Sequence, residues 1–553
     1  MAHKDFDAVI VGAGFAGLYM LHKLRGLGMT ARVFEAGDDV GGTWYWNRYP
    51  GARCDVESME YSYSFDEALE QEWHWTERYA TQPEILRYVQ HVADRFDLKR
   101  DIAFSTRVTA ATFDEASDLW TVETDRGDKL TAQYCIMATG CLSTPNRPDI
   151  PGLDDFAGGV YQTGLWPHEG VDFSGQRVAV IGTGSSAIQA IPVIAREAAQ
   201  VTVFQRTPNY VAPAHNHPIS AEYEQDVKAN YRQRRQQMLQ GYFGAIAHGN
   251  PSSAPSMSVS DEERTALYEE GWQQGGLGIL GSFPDLLFDR AGNETLAEFV
   301  RGKVREKVTD PKVAELLCPK DHPVGSKRMC IDTGYFETFN RANVALVDLN
   351  AEPIERITAH GLKTTQREFE FDAIVLATGF DAITGTLAKI AITGRGGRTL
   401  AQKWTSGPEA YLGLMAEGFP NLFLITGPGS PSVLSNMMVS IEQHVRMIAD
   451  CLETLGGKTI EATPAAEHAW VEHGNAVAAP TVYPDGKSWY TGANIPGKPR
   501  TFMAYIGGVP GYRAICEAIA RDGYPGFAID CEASAPPADF FALMAPPQEA
   551  AAT

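Results

Sequence analysis

Two glycine-rich turns, each between an apolar strand and an amphipathic helix, constrain this chain more than any other feature. The first is Gly12-Ala13-Gly14-Phe15-Ala16-Gly17, after Asp7-Ala8-Val9-Ile10-Val11. The second is Gly182-Thr183-Gly184-Ser185-Ser186-Ala187, after Val178-Ala179-Val180-Ile181. Glycines at these spacings permit a tight turn and let a helix N-terminus face a pyrophosphate. One such turn is weak as a signal, because glycine-rich turns are common. Two imply two bound dinucleotides, the arrangement needed to pass electrons between cofactors. The expected fold is α/β, with two Rossmann-like dinucleotide-binding domains.

The flanking periodicity agrees. Leu18, Leu21, Leu24 and Leu27 recur at helical spacing, Gly28 ends that helix, and Ala31-Arg32-Val33-Phe34 reads as the next strand. The second unit repeats the pattern with Ile188, Ile191 and Ile194, then Val201-Thr202-Val203-Phe204. Pro192 is expected to kink the second helix. Two later strands, Cys135-Ile136-Met137 and Ala373-Ile374-Val375-Leu376, each run into Ala-Thr-Gly, the kind of segment where a dinucleotide domain closes. These landmarks place the first part of an FAD-binding domain at 1–141, an inserted NADP-binding domain at 142–378, and the rest of the first domain at 379–530. Residues 213–323 read as a helical insertion, with a capping box at Ser260 and Glu263 and a cap at Asp310-Pro311. Residues 531–553, rich in Ala and Pro, read as a disordered tail.

The totals narrow the function class. A chain of 553 residues, 44% hydrophobic and 21% charged, has the balance of a soluble globular protein of two or more domains. Its formal net charge of -22 argues against nucleic acid and anionic membranes as partners. The eight cysteines include no Cys-x-x-Cys pair, which argues against a disulfide reductase and fits a reducing compartment. The apolar run after Lys4-Asp5 is too short for a signal-peptide core. A cytoplasmic protein, monomeric or weakly homo-oligomeric, is the expectation, and no metal site is expected.

The strand ends suggest which dinucleotide each turn takes. Glu35 follows the first unit's second strand, where an acid accepts hydrogen bonds from ribose hydroxyls and repels a 2′-phosphate. That suits FAD or NAD, and the N-terminal position favours FAD. The equivalent place in the second unit carries Arg206-Thr207, a charge-assisted fork beside a hydroxyl, which favours NADPH. Solvated surface placement is the plainer alternative for Arg206.

Between the first unit and residue 60 lies Gly41-Gly42-Thr43-Trp44-Tyr45-Trp46-Asn47-Arg48-Tyr49-Pro50-Gly51-Ala52-Arg53-Cys54-Asp55. This stretch resembles the type I Baeyer–Villiger monooxygenases, meeting every position of their Gly-Gly-x-Trp-x-x-x-x-Tyr-Pro-Gly-x-x-x-Asp pattern. The resemblance covers the chain from about Asp5 to Asp530 and is strongest to the phenylacetone and steroid monooxygenase branch. The family's other fingerprint, Phe-x-Gly-x-x-x-His-x-x-x-Trp-Pro, is met by Phe156 to Pro167 except that Gln162 stands where histidine is usual. Glutamine keeps a neutral donor and acceptor but cannot become cationic, which puts domain movement and coupling in question more than the chemistry.

In that family's chemistry NADPH reduces FAD, O2 adds at the flavin C4a carbon, and the peroxyflavin attacks a ketone to give an ester or lactone. The resemblance assigns Arg328 as the active-site cation, paired with Asp55, and Lys327 as a 2′-phosphate contact. It implies FAD contacts at Gly12, Gly14, Ala16, Gly17, Glu35, Thr43, Trp44, Asp55, Tyr61, Val108 and Met437. It implies NADP contacts at Arg53, Cys54, Gly182, Thr183, Gly184, Ser185, Ser186, Gln189, Arg206, Thr207, Lys327, Arg328 and Trp489. Ser432, Val433, Leu434 and Met437 are expected to border the substrate, and the longer loop around them favours aryl or bulky ketones. Without the resemblance, Lys327-Arg328 reads as a basic surface pair and Met437-Met438 as adaptable core filler. An N- or S-oxygenating enzyme, an NADPH oxidase that leaks peroxide, and a non-enzymatic dinucleotide-binding protein are the competing readings. Hydrogen bonds to a charged group are worth about 1.5–3 kcal/mol, so Arg206→Ala is expected to weaken NADPH binding roughly 10–100-fold in a direct titration.

Overall fold

A computed structural model describes residues 3–246 and 249–534. The strand Phe6–Val11 lies inside a mixed sheet, parallel to Ala31–Phe34 on one side and to Lys129–Met137 on the other. Ile102–Ala103 extends the sheet past Ala31–Phe34. Ala8, Val9 and Ile10 are fully buried, because a parallel strand inside such a sheet is covered on both faces. Helix Phe15–Gly26 follows, with Leu18, Leu21 and Leu24 buried, Leu27 at its C-cap and Gly28 in the left-handed region.

The second sheet has five strands, all parallel, in the order Val344–Asp348, Gln200–Gln205, Arg177–Ile181, Ala373–Leu376, Gly159–Gln162. Its helix, Ser185–Glu197, continues past Pro192 to Glu197. Beyond this sheet the chain returns to the first: Leu422–Leu424 pairs with Lys129–Met137, and Ala391–Thr393 with Val108–Asp114. The second sheet is therefore built from chain lying between two contributions to the first.

Both glycine turns meet the Ala-Thr-Gly segments in the same way. Gly12, at φ +105°, lies so close to Ala138 that a Cβ would stand 2.5 Å from the Ala138 carbonyl oxygen. Gly182, at φ +112°, stands in the same relation to Ala377, at 2.4 Å. Each turn is thus wedged against the end of the neighbouring parallel strand, where only a hydrogen side chain fits.

The helices Ala221–Ala229, Tyr231–Gln240, Asp261–Gln274, Arg290–Lys307 and Pro311–Leu317 lie between the paired strands Val211–Pro213 and Cys330–Asp332. The Ser260 hydroxyl caps the third by accepting from Glu263 N–H, while Asp310 caps the last by accepting from Lys312 N–H. The segment read as a disordered tail from 531 begins inside a hairpin. Glu532–Ala533 pairs with Phe527–Ile529, and Gly526 N–H donates to the Ser534 carbonyl at 2.8 Å. Those hydrogen bonds satisfy a strand end that composition alone does not reveal; the remainder of that segment lies outside the described residues.

One buried network fixes a loop of the site. Helix Met437–Leu455 packs on Phe15–Gly26 and carries His444, which is fully buried. Its Nδ1 accepts from Thr426 N–H at 3.0 Å, leaving Nε2 to donate to Tyr512, whose hydroxyl donates to the Leu412 carbonyl. Thr426 has φ +57°, a costly conformation for a β-branched residue that this network holds in place. Burial pushes the imidazole pKa down to about 3, against a smaller opposing effect from Leu424. The folded pKa lies below the 6.5 of an exposed histidine, so this group's contribution to stability is complete above pH 6.5 and is lost as pH falls towards 3. Unfolding free energy is expected to drop by up to ~4 kcal/mol across that window from this residue, and His444→Gln is expected to flatten the slope in denaturant titrations at stepped pH.

Candidate functional site between the two glycine turns

A cavity of about 1550 Å³ is lined by both turns, by the Gly41 to Asp55 stretch and by the Ala-Thr-Gly segments. A single small-ligand pocket is roughly 300–1,000 Å³, so this space suits more than one large ligand. Gly12, Gly14, Ala16, Glu35, Thr43, Trp44, Tyr61 and Val108 line one part of it. Gly182, Thr183, Gly184, Ser185, Ser186, Gln189, Arg206 and Thr207 line another, and Arg53, Cys54, Asp55, Arg328, Val433, Met437 and Trp489 also face it.

Glu35 does more than the sequence suggested. One carboxylate oxygen accepts from Ala13 N–H at 2.7 Å and the other from Gly37 N–H at 2.8 Å, so it pins the first turn to the strand end. Burial raises its pKa, with the two backbone donors working in the opposite direction. Gly14 and Gly42 pack Cα to Cα, and Trp44 Nε1 donates to the Tyr61 hydroxyl at 3.1 Å.

One tie between the two dinucleotide units runs through Gln189. The Tyr49 hydroxyl donates to Gln189 Oε1 at 2.8 Å, and Gln189 Nε2 donates to the Arg53 carbonyl at 3.1 Å. A Cβ on Gly51 would stand 2.3 Å from the Gln189 carbonyl oxygen, which explains why the turn after Tyr49-Pro50 needs glycine.

Arg328 and Asp55 form a two-pronged ion pair: Nε donates to Oδ2 at 2.9 Å and Nη2 to Oδ1 at 2.7 Å. Nη1 donates to the Val433 carbonyl at 2.9 Å, and Asn209 Nδ2 holds the Arg328 carbonyl at 2.9 Å. The guanidinium is deep in the protein, with 26% of its side chain open. Burial works against its charge, but Asp55 outweighs that and raises the pKa well above the ordinary arginine value. The site therefore presents a permanent, oriented cation to the cavity.

Four expected contacts lie off the cavity wall. Gly17 sits behind the first turn, where a Cβ would meet the Gly12 carbonyl oxygen at 1.9 Å, so its role is helix-to-turn packing. Ser432 is fully buried at φ +30°, and that backbone turns its hydroxyl inward to Cys141 Sγ at 3.2 Å. Leu434 packs into the apolar cluster of Leu287, Tyr483 and Met503, leaving Val433, Ser435 and Met437 on the wall. Lys327 is half-buried, outside the lining, beside Arg206 and Lys487. Gln162, at the edge of the second sheet, does face the cavity, and its Nε2 is buried without a hydrogen-bond partner. Sequence reasoning overlooked Thr106, Arg107, Asn146 and Asn494, which line the cavity from loops that carry no motif.

A family model described as pyridine nucleotide-disulphide oxidoreductase matches residues 9–267. Over 528 residues the chain is 44% identical to a Baeyer-Villiger monooxygenase of Pseudooceanicola batsensis, covering 94% of this chain and 95% of that one. A phenazine N-monooxygenase of Lysobacter antibioticus is 41% identical, with 96% and 98% covered. Among solved structures, oxidised steroid monooxygenase bound to NADP superposes with a TM-score of 0.90 at 52% identity, covering 95% of this chain and 99% of that one. The OTEMO complex with FAD and NADP superposes at 0.92 with 40% identity, covering 96% and 100%. Likeness of this extent, in a chain with no Cys-x-x-Cys pair for disulfide chemistry, places it in the Baeyer–Villiger family of flavin monooxygenases.

Proposed function

We propose that this monooxygenase consumes NADPH and O2 to convert ketones, preferentially aryl or bulky ones, into esters or lactones. The observation that carries the reading is the Arg328 guanidinium, clamped by Asp55 and Val433 and open to the cavity between the two turns. In atoms, ketone, O2, NADPH and a proton give ester, NADP+ and water.

The residues present fit both cofactors. The first turn, with Glu35 buried behind it and no cation in place of that acid, suits the adenosine and pyrophosphate of FAD. The second suits NADPH: Arg206 and Lys327 supply positive charge for a 2′-phosphate, and the Thr183 hydroxyl donates to the Thr207 carbonyl at 2.9 Å, which fixes the strand end. When bound, the nicotinamide and flavin supply the two electrons that activate O2.

The chain's own groups do the rest. Arg328 stays charged in a partly dry site, where it stabilises the negative charge that develops on oxygen as a carbonyl is attacked. Asp55 aims the guanidinium through two parallel bonds, and Val433 takes a third donor so that the fork cannot swing. Trp489, next to the buried Tyr490, lines the cavity, where its indole would exclude water from the reacting centre. An oxygenation that uses an electrophilic, protonated oxidant on nitrogen or sulfur has no need of this fixed cation, which is why the ketone reading is preferred.

Product balance tests it. With the FAD-loaded protein, NADPH, air and phenylacetone, ester is expected to approach one per NADPH. Hydrogen peroxide alone across a panel of ketones would overturn the reading in favour of an oxidase, and N-oxides from amine substrates without ester would favour the nitrogen-oxygenating alternative. Arg328→Ala is expected to cut ester formation about 10²–10³-fold, while flavin bleaching by NADPH, followed by stopped flow, survives.

A further inference from the structure

The loop that carries Trp489 lies directly on the segment that carries Lys327 and Arg328. Gly486 is so close to Ser326 that a Cβ would stand 2.5 Å from the Ser326 carbonyl oxygen and 2.9 Å from its carbonyl carbon. Two residues of chain farther on, Ser488 is buried; Tyr490, also buried, faces Arg328, whose charge acts on its hydroxyl. Lys487, between Gly486 and Ser488, is exposed. The loop is thus a strap whose register on residues 325–328 is set by a glycine contact.

That register gathers like charges. Lys327 and Lys487 each follow one of the touching residues Ser326 and Gly486. Burial lowers the Lys327 pKa most, Asp321 opposes that, and Arg206 and Lys487 lower it further. Asp321 is itself engaged by His322 Nδ1 at 2.7 Å. Among the described residues, none of Arg206, Lys327 and Lys487 forms an ion pair. Like charges brought together repel, and a dianionic phosphate monoester is a ligand that neutralises them.

We propose that Lys487 is a third cation for the 2′-phosphate of the nicotinamide cofactor, delivered by the strap that Gly486 seats on Ser326, and that it helps the second cleft choose NADP(H) over NAD(H). This rests on the NADPH reading of that cleft. It adds a specificity residue from outside the dinucleotide fold, on a loop shared with Trp489.

The test is calorimetric titration of the FAD-loaded protein with adenosine 2′,5′-bisphosphate and, separately, with 5′-AMP. Wild type is expected to prefer the bisphosphate. Lys487→Ala is expected to weaken the bisphosphate about tenfold and leave 5′-AMP unchanged, and Lys487→Arg to restore most of the loss. Gly486→Ala, which lifts the strap while keeping all three cations, is expected to weaken the same ligand selectively. If wild type shows no preference, the NADPH reading of the cleft fails. If wild type prefers the bisphosphate and Lys487→Ala keeps that preference in full, or loses both ligands equally, the strap proposal fails alone.

Discussion

The Asp55–Arg328 pair is the interaction on which the site depends. A guanidinium moved from water into a protein interior loses solvation worth several kcal/mol, and only a partner of matching geometry restores it. Asp55 supplies that partner from a position 273 residues away in sequence. Val433 adds a carbonyl from the loop after the chain has returned to the first sheet, and Asn209 holds the arginine's own backbone from the other direction. Three distant segments are thus fixed relative to one charge. The same convergence puts that charge on a cavity wall, because the space between the two dinucleotide units is where those segments meet.

Around this centre the protein uses one structural solution twice. In each unit a glycine at positive φ is wedged against the carbonyl at the end of the neighbouring parallel strand, and a helix leaves at once from the turn. The helix N-terminus then faces the cavity with unsatisfied N–H groups, a ready place for a pyrophosphate. The units differ in what stands at the next strand end. Buried Glu35 spends both oxygens on the backbone of its own turn, whereas Arg206 stands exposed near Lys327. The Tyr49–Gln189–Arg53 contact keeps the two turns on one cavity rather than on separate faces.

Much of this was legible in the residues. The strand–turn–helix units, the Ala-Thr-Gly strand ends and the return of the chain to the first sheet follow from apolar runs, helical spacing and glycine motifs. Asp55 and Arg328 were legible only through the family pattern, since an acid and a basic pair so far apart carry no local sign of meeting. Ser432 and Leu434 mark where proximity in sequence misleads. A single turn around Ser432, with one residue in the left-handed region, sends alternate side chains into the core and onto the wall. The hairpin through Ser534 was missed because Ala and Pro content says nothing about a neighbouring strand with free hydrogen-bonding groups.

Sequence alone determined the two dinucleotide units and the difference in charge between their strand ends. Those features rest on backbone freedom at glycine, on apolar periodicity and on residue charge, all of which are local. Tertiary structure decided which cation is clamped and which loop residues reach the cavity. Each of these depends on a carbonyl, a carboxylate or an absent Cβ contributed by a segment distant in sequence, and so on packing that no window of sequence contains.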